Sequence, residues 1–350
     1  MIDYLIVGAG LAGISFADLA LNNNKKVVVF ENNSQNSSRI AGGLYNPVIL
    51  KRFTEVWDAS NQLSDMDDFY NSLRSKFSVD FDNKLPIYRK FFSVEEQNNW
   101  FLASDKKRLA PFLSTTLNFD KFNGIDAPFG YGEVLKTGYV DTSLLLEHYR
   151  GYLLSRSLLF EQEFKYDDIV FLEEGIAYNG IKAKHIIFAE GFGMHQNPYF
   201  NFLPLDGTKG ELFIIKAPNL TIDVIVNTSV FILPLGDGLF KVGATYNWKD
   251  KTDLPTSDGK EELIARIKEI ISCEFEVIEH FAGVRPTVRD RRPLVGTHDT
   301  YSQLHILNGL GTRGVMLGPS MAKALYNNIE HQLPLSDEIN WNRYLKKFRK

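Results

Sequence analysis

Residues Asp3 to Glu31 read DYLIVGAGLAGISFADLALNNNKKVVVFE, and this stretch decides the fold. Tyr4 to Val7 is a short, wholly apolar run of the kind that forms a buried strand; Leu11 to Leu21 has helical composition, and Lys26 to Phe30 is a second strand. Strand, helix and strand in so short a span make one βαβ unit and hence a parallel sheet. Gly8-Ala9-Gly10-Leu11-Ala12-Gly13 joins the first strand to the helix. Gly8 permits the tight turn, Gly10 leaves room for a pyrophosphate against the backbone, and Gly13 lets the helix approach the sheet. The helix N-terminus then presents N–H groups to the phosphates. Glu31 closes the second strand, where a carboxylate accepts hydrogen bonds from both ribose hydroxyls and repels a 2′-phosphate. The unit therefore reads as a dinucleotide site that suits FAD or NAD and disfavours NADP.

At 350 residues the chain exceeds the usual size of a single core, so two domains are expected. Its 44% hydrophobic content suits such cores, and its net charge of -4 counts against a protein that grips a nucleic-acid backbone. Cys273 is the single cysteine, which excludes an internal disulfide and a cysteine-cluster metal site; no metal is expected. No leader peptide and no apolar run approaching the roughly 20 residues of a membrane span is read, and the expected setting is cytoplasmic. The basic tail Arg343 to Lys350 reads as a solvated C-terminal helix, with contact to a membrane surface or polyanion as the alternative.

Thr54 to Phe77 has helical spacing, with Trp57, Leu63, Met66, Phe69, Tyr70 and Leu73 on one face. Pro86 to Lys136 is irregular and rich in aromatics and turns, with a helix at Val94 to Leu102. A helix from Thr142 to Ser155 and strands at Leu158 to Phe164 and His185 to Ala189 restore α/β character. Gly210 to Lys216, Val230 to Pro234 and Leu239 to Tyr246 follow with near-alternation and no helix between them, as in an antiparallel sheet. A helix over Ser257 to Cys273, a strand at Leu304 to Leu307 and a helix over Ser320 to Ile329 complete the pattern. The expected fold is α/β: a discontinuous Rossmann-like cofactor domain at 1–80, 137–205 and 281–350, and an inserted α+β substrate domain on a mostly antiparallel sheet at 81–136 and 206–280.

Near the far end, Asn308-Gly309-Leu310-Gly311-Thr312-Arg313-Gly314-Val315 again joins a strand to a helix. Alone it would equally be an ordinary tight turn; paired with Gly8 to Gly13 it offers backbone donors to the flavin end of one extended FAD. Arg285 precedes Pro286 at a strand end, where a guanidinium can make paired hydrogen bonds to a substrate carboxylate that lysine cannot match. A salt bridge between domains is the alternative, and Arg289, Arg291 and Arg292 read as surface or interdomain residues.

Over nearly its whole length the chain resembles the D-amino-acid oxidase, glycine oxidase and sarcosine oxidase superfamily of FAD enzymes. The resemblance is carried by GAGLAG with Glu31, SRIAGGLYNP at Ser38 to Pro47, GYVD at Gly138 to Asp141, IIFAEGF at Ile186 to Phe192, LPLDGTKGEL at Leu203 to Leu212, VFILP, FKVGATY, AGVRP with PLVG, and GLGTRGVMLGP. It implies non-covalent FAD held by the Gly8 to Gly13 turn, Glu31, Arg39, Gly42, Gly43, Leu44, Gly191, and the second turn at Gly309, Gly311, Thr312, Arg313, Gly314 and Val315. It further implies oxidation of the C–N bond of a small amino acid or N-substituted amino acid by hydride transfer to flavin, giving an imine that water hydrolyses. Oxygen or another acceptor takes the electrons, and a homo-oligomer is compatible with the family.

In the amino-acid oxidase branches the matching arginine binds the substrate carboxylate, which is the implied role of Arg285. In the sarcosine oxidase branch a lysine two residues before the strand glycine sits over the flavin; Lys241 stands two before Gly243, although alternation alone equally allows an exposed lysine. Tyr246 lines the pocket or, equally, is a packed core or rim tyrosine. Two residues depart from the family: Phe231 stands where glycine oxidases carry a tyrosine, and Glu190 replaces a small residue and needs a buried partner. SRIAGGLYNP also resembles the oxidase domain of bifunctional enzymes that mature the wobble uridine of tRNA, but the methyltransferase half of those enzymes is missing. An NAD-dependent dehydrogenase and a non-catalytic FAD-bound protein are the remaining alternatives.

Overall fold

A computed structural model describes residues 1–345, in which two large sheets face a shared cleft. Lys346 to Lys350, most of the basic tail, lie outside the described residues.

The first sheet is built on the buried strand Ile2–Val7, flanked in parallel by Val27–Phe30 on one side and Ile181–Phe188 on the other. Leu159–Phe160 extends it beyond the second strand, and Leu304–Asn308 pairs in parallel with Ile181–Phe188. The run of fully buried residues in these strands follows from coverage on both faces, as expected for a parallel sheet. One face is covered by the helices Leu11–Asn22 and Gly314–His331, which cross closely at glycines: a Cβ on Gly318 would lie 2.9 Å from Ser15 Oγ.

The second sheet runs in the order Glu276–Arg285, Thr208–Lys216, Leu239–Gly243, Phe231–Gly236, Ile225–Asn227, Ile87–Lys90, Tyr131–Val134 and Leu113–Asn118. Its pairs are antiparallel except that between Ile225–Asn227 and Ile87–Lys90. Alternation divides its faces. Phe213, Ile215, Ile232, Phe240 and Val242 point to one side, where Leu263 and Ile267 of the helix Ser257–Lys268 cover them. Gly210, Leu212, Phe231, Gly243, Gly283 and Arg285 point to the other side and line the cleft.

Several boundaries differ from those expected. The helix expected from Thr54 begins at Ala59, because Phe53 and Asp58 take left-handed backbone conformations and Thr54–Glu55 pairs with Val48–Ile49 as a short hairpin. The strand ending at Arg285 starts at Glu276 and stays in the second sheet throughout, so residues 281–285 sit there and not beside the parallel strands. The helix expected from Ser320 starts at Gly314 and passes through Pro319.

A proline inside a helix leaves the carbonyl four residues before it without a backbone donor. Here that carbonyl belongs to Val315, and the buried Tyr70 hydroxyl of the neighbouring helix Ala59–Phe77 donates to it at 3.1 Å. A tertiary bond thus supplies what the local sequence lacks. Tyr70→Phe should leave this buried carbonyl short of a partner and cost about 1–2 kcal/mol, read as a lower denaturation midpoint; an unchanged midpoint would show the helix tolerates the proline unaided.

Candidate active site

The cleft between the two sheets encloses about 2190 Å³, its open mouth included. At the first sheet, Gly8 turns at φ +102°, and a Cβ there would overlap the Ala189 carbonyl oxygen. Gly13 is tighter still, since its Cβ would run into the Gly8 carbonyl oxygen. These contacts hold the Leu11–Asn22 helix with its N-terminus on the cleft, where Gly10, Leu11 and Ala12 line it. Gly13 and Ala9 form the turn behind, and Ala9 N–H donates to Glu31 Oε2 at 2.6 Å. Glu31 Oε1 accepts from Asn33 N–H at 2.7 Å, which fixes the carboxylate while leaving lone pairs for hydroxyl donors.

Gly42, Gly43 and Leu44 form a further wall. Phe231 packs so closely on this segment that a Cβ on Gly42 would lie 2.5 Å from its ring. The second glycine turn brings Gly311, Thr312, Arg313, Gly314 and Val315 to the cleft at the start of the helix Gly314–His331. Gly191 is also on the wall, at φ +57° and with open space where a side chain would project. Gly309 lies behind the turn, where Val288 would block a side chain at 2.5 Å. Arg39 does not line the cleft: it is exposed and donates to Asn33 Oδ1 at 2.9 Å.

These features fit an extended FAD: two helix N-termini open on one cleft, a fixed carboxylate stands beside the first, and glycine backbone walls the space between. Residues that the motifs did not reveal also line it, among them Gln162, Phe164 and Tyr166, which belong to a loop with no recognisable spacing.

At the second sheet, Arg285 is half-buried and lies across Gly210, whose Cβ would overlap the guanidinium. Its Nη1 donates to the Thr245 carbonyl at 3.3 Å, and its Cζ stacks 4.6 Å from the centre of the Tyr246 ring. Among the described residues no carboxylate pairs with it, and burial pulls its pKa below the usual guanidinium range. The interdomain salt bridge weighed from the sequence is therefore not formed. Tyr246 is 53% exposed, which places it at the rim. Lys241 shares the face of Gly243 but lies behind the wall, donating from Nζ to the Ala41 carbonyl at 2.8 Å; burial pushes its pKa down. Tyr88, Phe91 and Tyr131 are core residues, and Trp57 stacks under Arg292.

Gly210 is the residue of this group whose importance was hidden, since its requirement appears only across the strand pair. Gly210→Ala should displace Arg285 and weaken carboxylate binding by about tenfold or more, measured by ligand titration; unchanged affinity would show that the guanidinium has another equivalent seat.

Glu190 finds the partners it requires: the Tyr166 hydroxyl and Asn197 Nδ2, the latter at 2.8 Å, both donate to it. Burial nevertheless raises its pKa to about 7.

The chain belongs to the family of FAD dependent oxidoreductases, whose model matches residues 3–327. FAD is thus the cofactor, which decides the choice left open at the first glycine turn. Glycine oxidase of Bacillus subtilis is 22% identical over 239 residues, which cover 63% of each protein. The tRNA 5-methylaminomethyl-2-thiouridine biosynthesis bifunctional protein MnmC of Marinobacter nauticus is 24% identical over 168 residues, 43% of this chain and 27% of that protein. The chain therefore spans under two thirds of either relative. Iminodiacetate oxidase of Chelativorans sp. BNC1 shares the fold, with a TM-score of 0.78, 18% identity, and coverage of 96% of this chain and 98% of that one. Among the described residues no helix is long and apolar enough to cross a membrane.

Because its folded pKa is raised above the ordinary 4.5, Glu190 favours folding in its neutral form. That contribution is complete below about pH 4.5 and is lost as pH rises through about 7. Glu190→Gln cannot ionise, so its stability relative to the unsubstituted protein should rise by about 2 kcal/mol between about pH 5 and about pH 8. Thermal melts in a pH series check this; a difference independent of pH would refute it.

Proposed function

We propose that this protein oxidises the C–N bond of a small amino acid or N-substituted amino acid whose carboxylate is held by Arg285. The observation that carries the reading is a guanidinium fixed by Gly210, Thr245 and Tyr246 on the cleft wall, with no protein carboxylate to neutralise it among the described residues. A bound carboxylate would accept paired, charge-assisted hydrogen bonds from it and repay the cost of burying the charge. The names of relatives, glycine oxidase and iminodiacetate oxidase, point to substrates of this class.

Bound in this cleft, FAD supplies a two-electron acceptor for hydrogen leaving the amine carbon. The protein's part is placement. Arg285 anchors the carboxylate, so the adjacent carbon is held at a fixed distance from the wall formed by Gly42 and Gly43. Phe231 and Leu212 present apolar surface beside it, which excludes water from the carbon while the amine loses a proton and the C=N bond forms. Water then adds to the imine, giving a carbonyl product and a free amine, and the two electrons pass to oxygen or another acceptor. Lys241, bonded to the Ala41 carbonyl, acts as a positioning residue for the glycine segment.

Anaerobic mixing of the purified flavoprotein with a panel of amino acids and N-substituted glycines should bleach the visible flavin absorption. Arg285→Ala should raise KM by about 100-fold, with Arg285→Lys recovering only part of the loss. A flavin that no amine in the panel bleaches would favour the non-catalytic alternative.

A further inference from the structure

The segment from Ala244 to Thr256 joins the strand Leu239–Gly243 to the helix Ser257–Lys268, and it completes the seat of Arg285. The Thr245 carbonyl accepts from the guanidinium at 3.3 Å, and the Tyr246 ring stacks on it at 4.6 Å. Yet from Tyr246 to Pro255 no residue is buried. A segment so exposed gains little from apolar packing, so its conformation depends on polar ties.

Those ties converge on Lys209. Gly210 faces the cleft, so its neighbours Lys209 and Glu211 point to the opposite face of the sheet. Lys209 and Asn247 exchange two backbone hydrogen bonds, each at 2.9 Å. The Lys209 side chain is wholly buried, and its ammonium donates to the Asp250 carboxylate, to Thr252 Oγ1 at 3.2 Å and to the Leu254 carbonyl. An ammonium has three donors, and all of them go to the stretch 250–254. The other nearby carboxylate, Glu211, stands 3.8 Å away and is turned to Thr256, from whose hydroxyl and N–H it accepts at 2.7 and 3.0 Å. His280 Nε2 lies 2.7 Å from it. Asp250 is ionised, its pKa drawn down to about 2 by the Lys209 ammonium and the Thr252 donors.

We propose, resting on the reading of Arg285 as a carboxylate anchor, that Lys209 is a positioning residue for that anchor: it gathers the segment behind the sheet so that Thr245 and Tyr246 meet the guanidinium in front. A buried ammonium is unfavourable unless it is paired and fully hydrogen-bonded, and here every partner it needs lies on the segment to be held. Consecutive residues divide the work, Gly210 leaving room for the guanidinium and Lys209 fixing what lies against it.

The test titrates acetate and acetamide, alike in shape and different in charge, into the FAD-loaded protein and reads the perturbed flavin spectrum. Amide hydrogen exchange over residues 245–252 is followed in the same samples. Acetate should bind about tenfold more tightly than acetamide or better. Lys209→Met keeps the stem and removes the ammonium; it should cut that preference to about threefold or less and speed exchange of the segment about tenfold. Asp250→Ala, at the more exposed end of the pair, should act in the same direction. A purely electrostatic effect of Lys209 would have the opposite sign there, since deleting a carboxylate would strengthen acetate binding. Equal weakening of both ligands, an unchanged acetate preference in Lys209→Met, or a gain in Asp250→Ala overturns the proposal. An unsubstituted protein with no acetate preference would refute the carboxylate anchor instead, and the hold of Lys209 on the segment would then be decided by the exchange rates alone.

Discussion

Where the first strand turns into the first helix, the backbone of Gly13 lies against the carbonyl of Gly8, and Gly8 lies against the carbonyl of Ala189. A methyl group at either position would overlap a main-chain oxygen, and main chain in a paired strand has little freedom to retreat. This three-way contact fixes the helix to two adjacent parallel strands. It also sets the direction of the helix N-terminus, and with it the place where phosphates can be received. Glu31 is tied to the same turn through Ala9, so the ribose acceptor and the phosphate donors move as one body. The second helix N-terminus is registered to the first by Gly314 and Gly318, which let the two helices approach at Leu11 and Ser15.

The other wall obeys a different rule. Its residues are selected by alternation on an antiparallel sheet, and the small ones serve the large ones: Gly210 seats Arg285, and Gly42 and Gly243 accommodate Phe231. Charge is distributed unevenly across the cleft. The first sheet contributes the carboxyls of Glu31 and Glu190, the latter shifted toward its neutral form, while the opposite wall contributes Arg285, which has no acidic partner among the described residues. Such an arrangement favours an anion on the Arg285 wall and leaves the first sheet to a cofactor whose own charge is met by backbone dipoles.

The βαβ unit was fully legible, because its periodicity, glycines and terminal acid are all local and close together in sequence. The antiparallel sheet was legible as a kind but not in its extent. The strand Glu276–Arg285 is charged over its first half, and that half carries little alternation to reveal it. The helix start at Gly314 was hidden for a related reason: Pro319 reads as a helix boundary, and the donor that lets the helix continue is on Tyr70, in a distant segment. Arg285 was singled out by type and position, whereas its seat on Gly210 exists only once two strands are paired. Arg39 drew attention through its motif, yet the side chain turns outward to Asn33, a choice that no local pattern encodes.

The pairing of Glu276–Arg285 with Thr208–Lys216 counts residues from a bulge between Ile214 and Ile215 to its end at the Thr208 and Arg285 pair. Side chains on a strand alternate, so losing or gaining a single residue between the bulge and that end would turn the guanidinium to the opposite face of the sheet. The sheet could remain hydrogen-bonded and the cofactor cleft intact. Such an indel would leave a protein that still takes up its coloured cofactor but has no guanidinium on this wall of the cleft, so colour alone is no measure of an intact second wall among naturally varying copies of this chain.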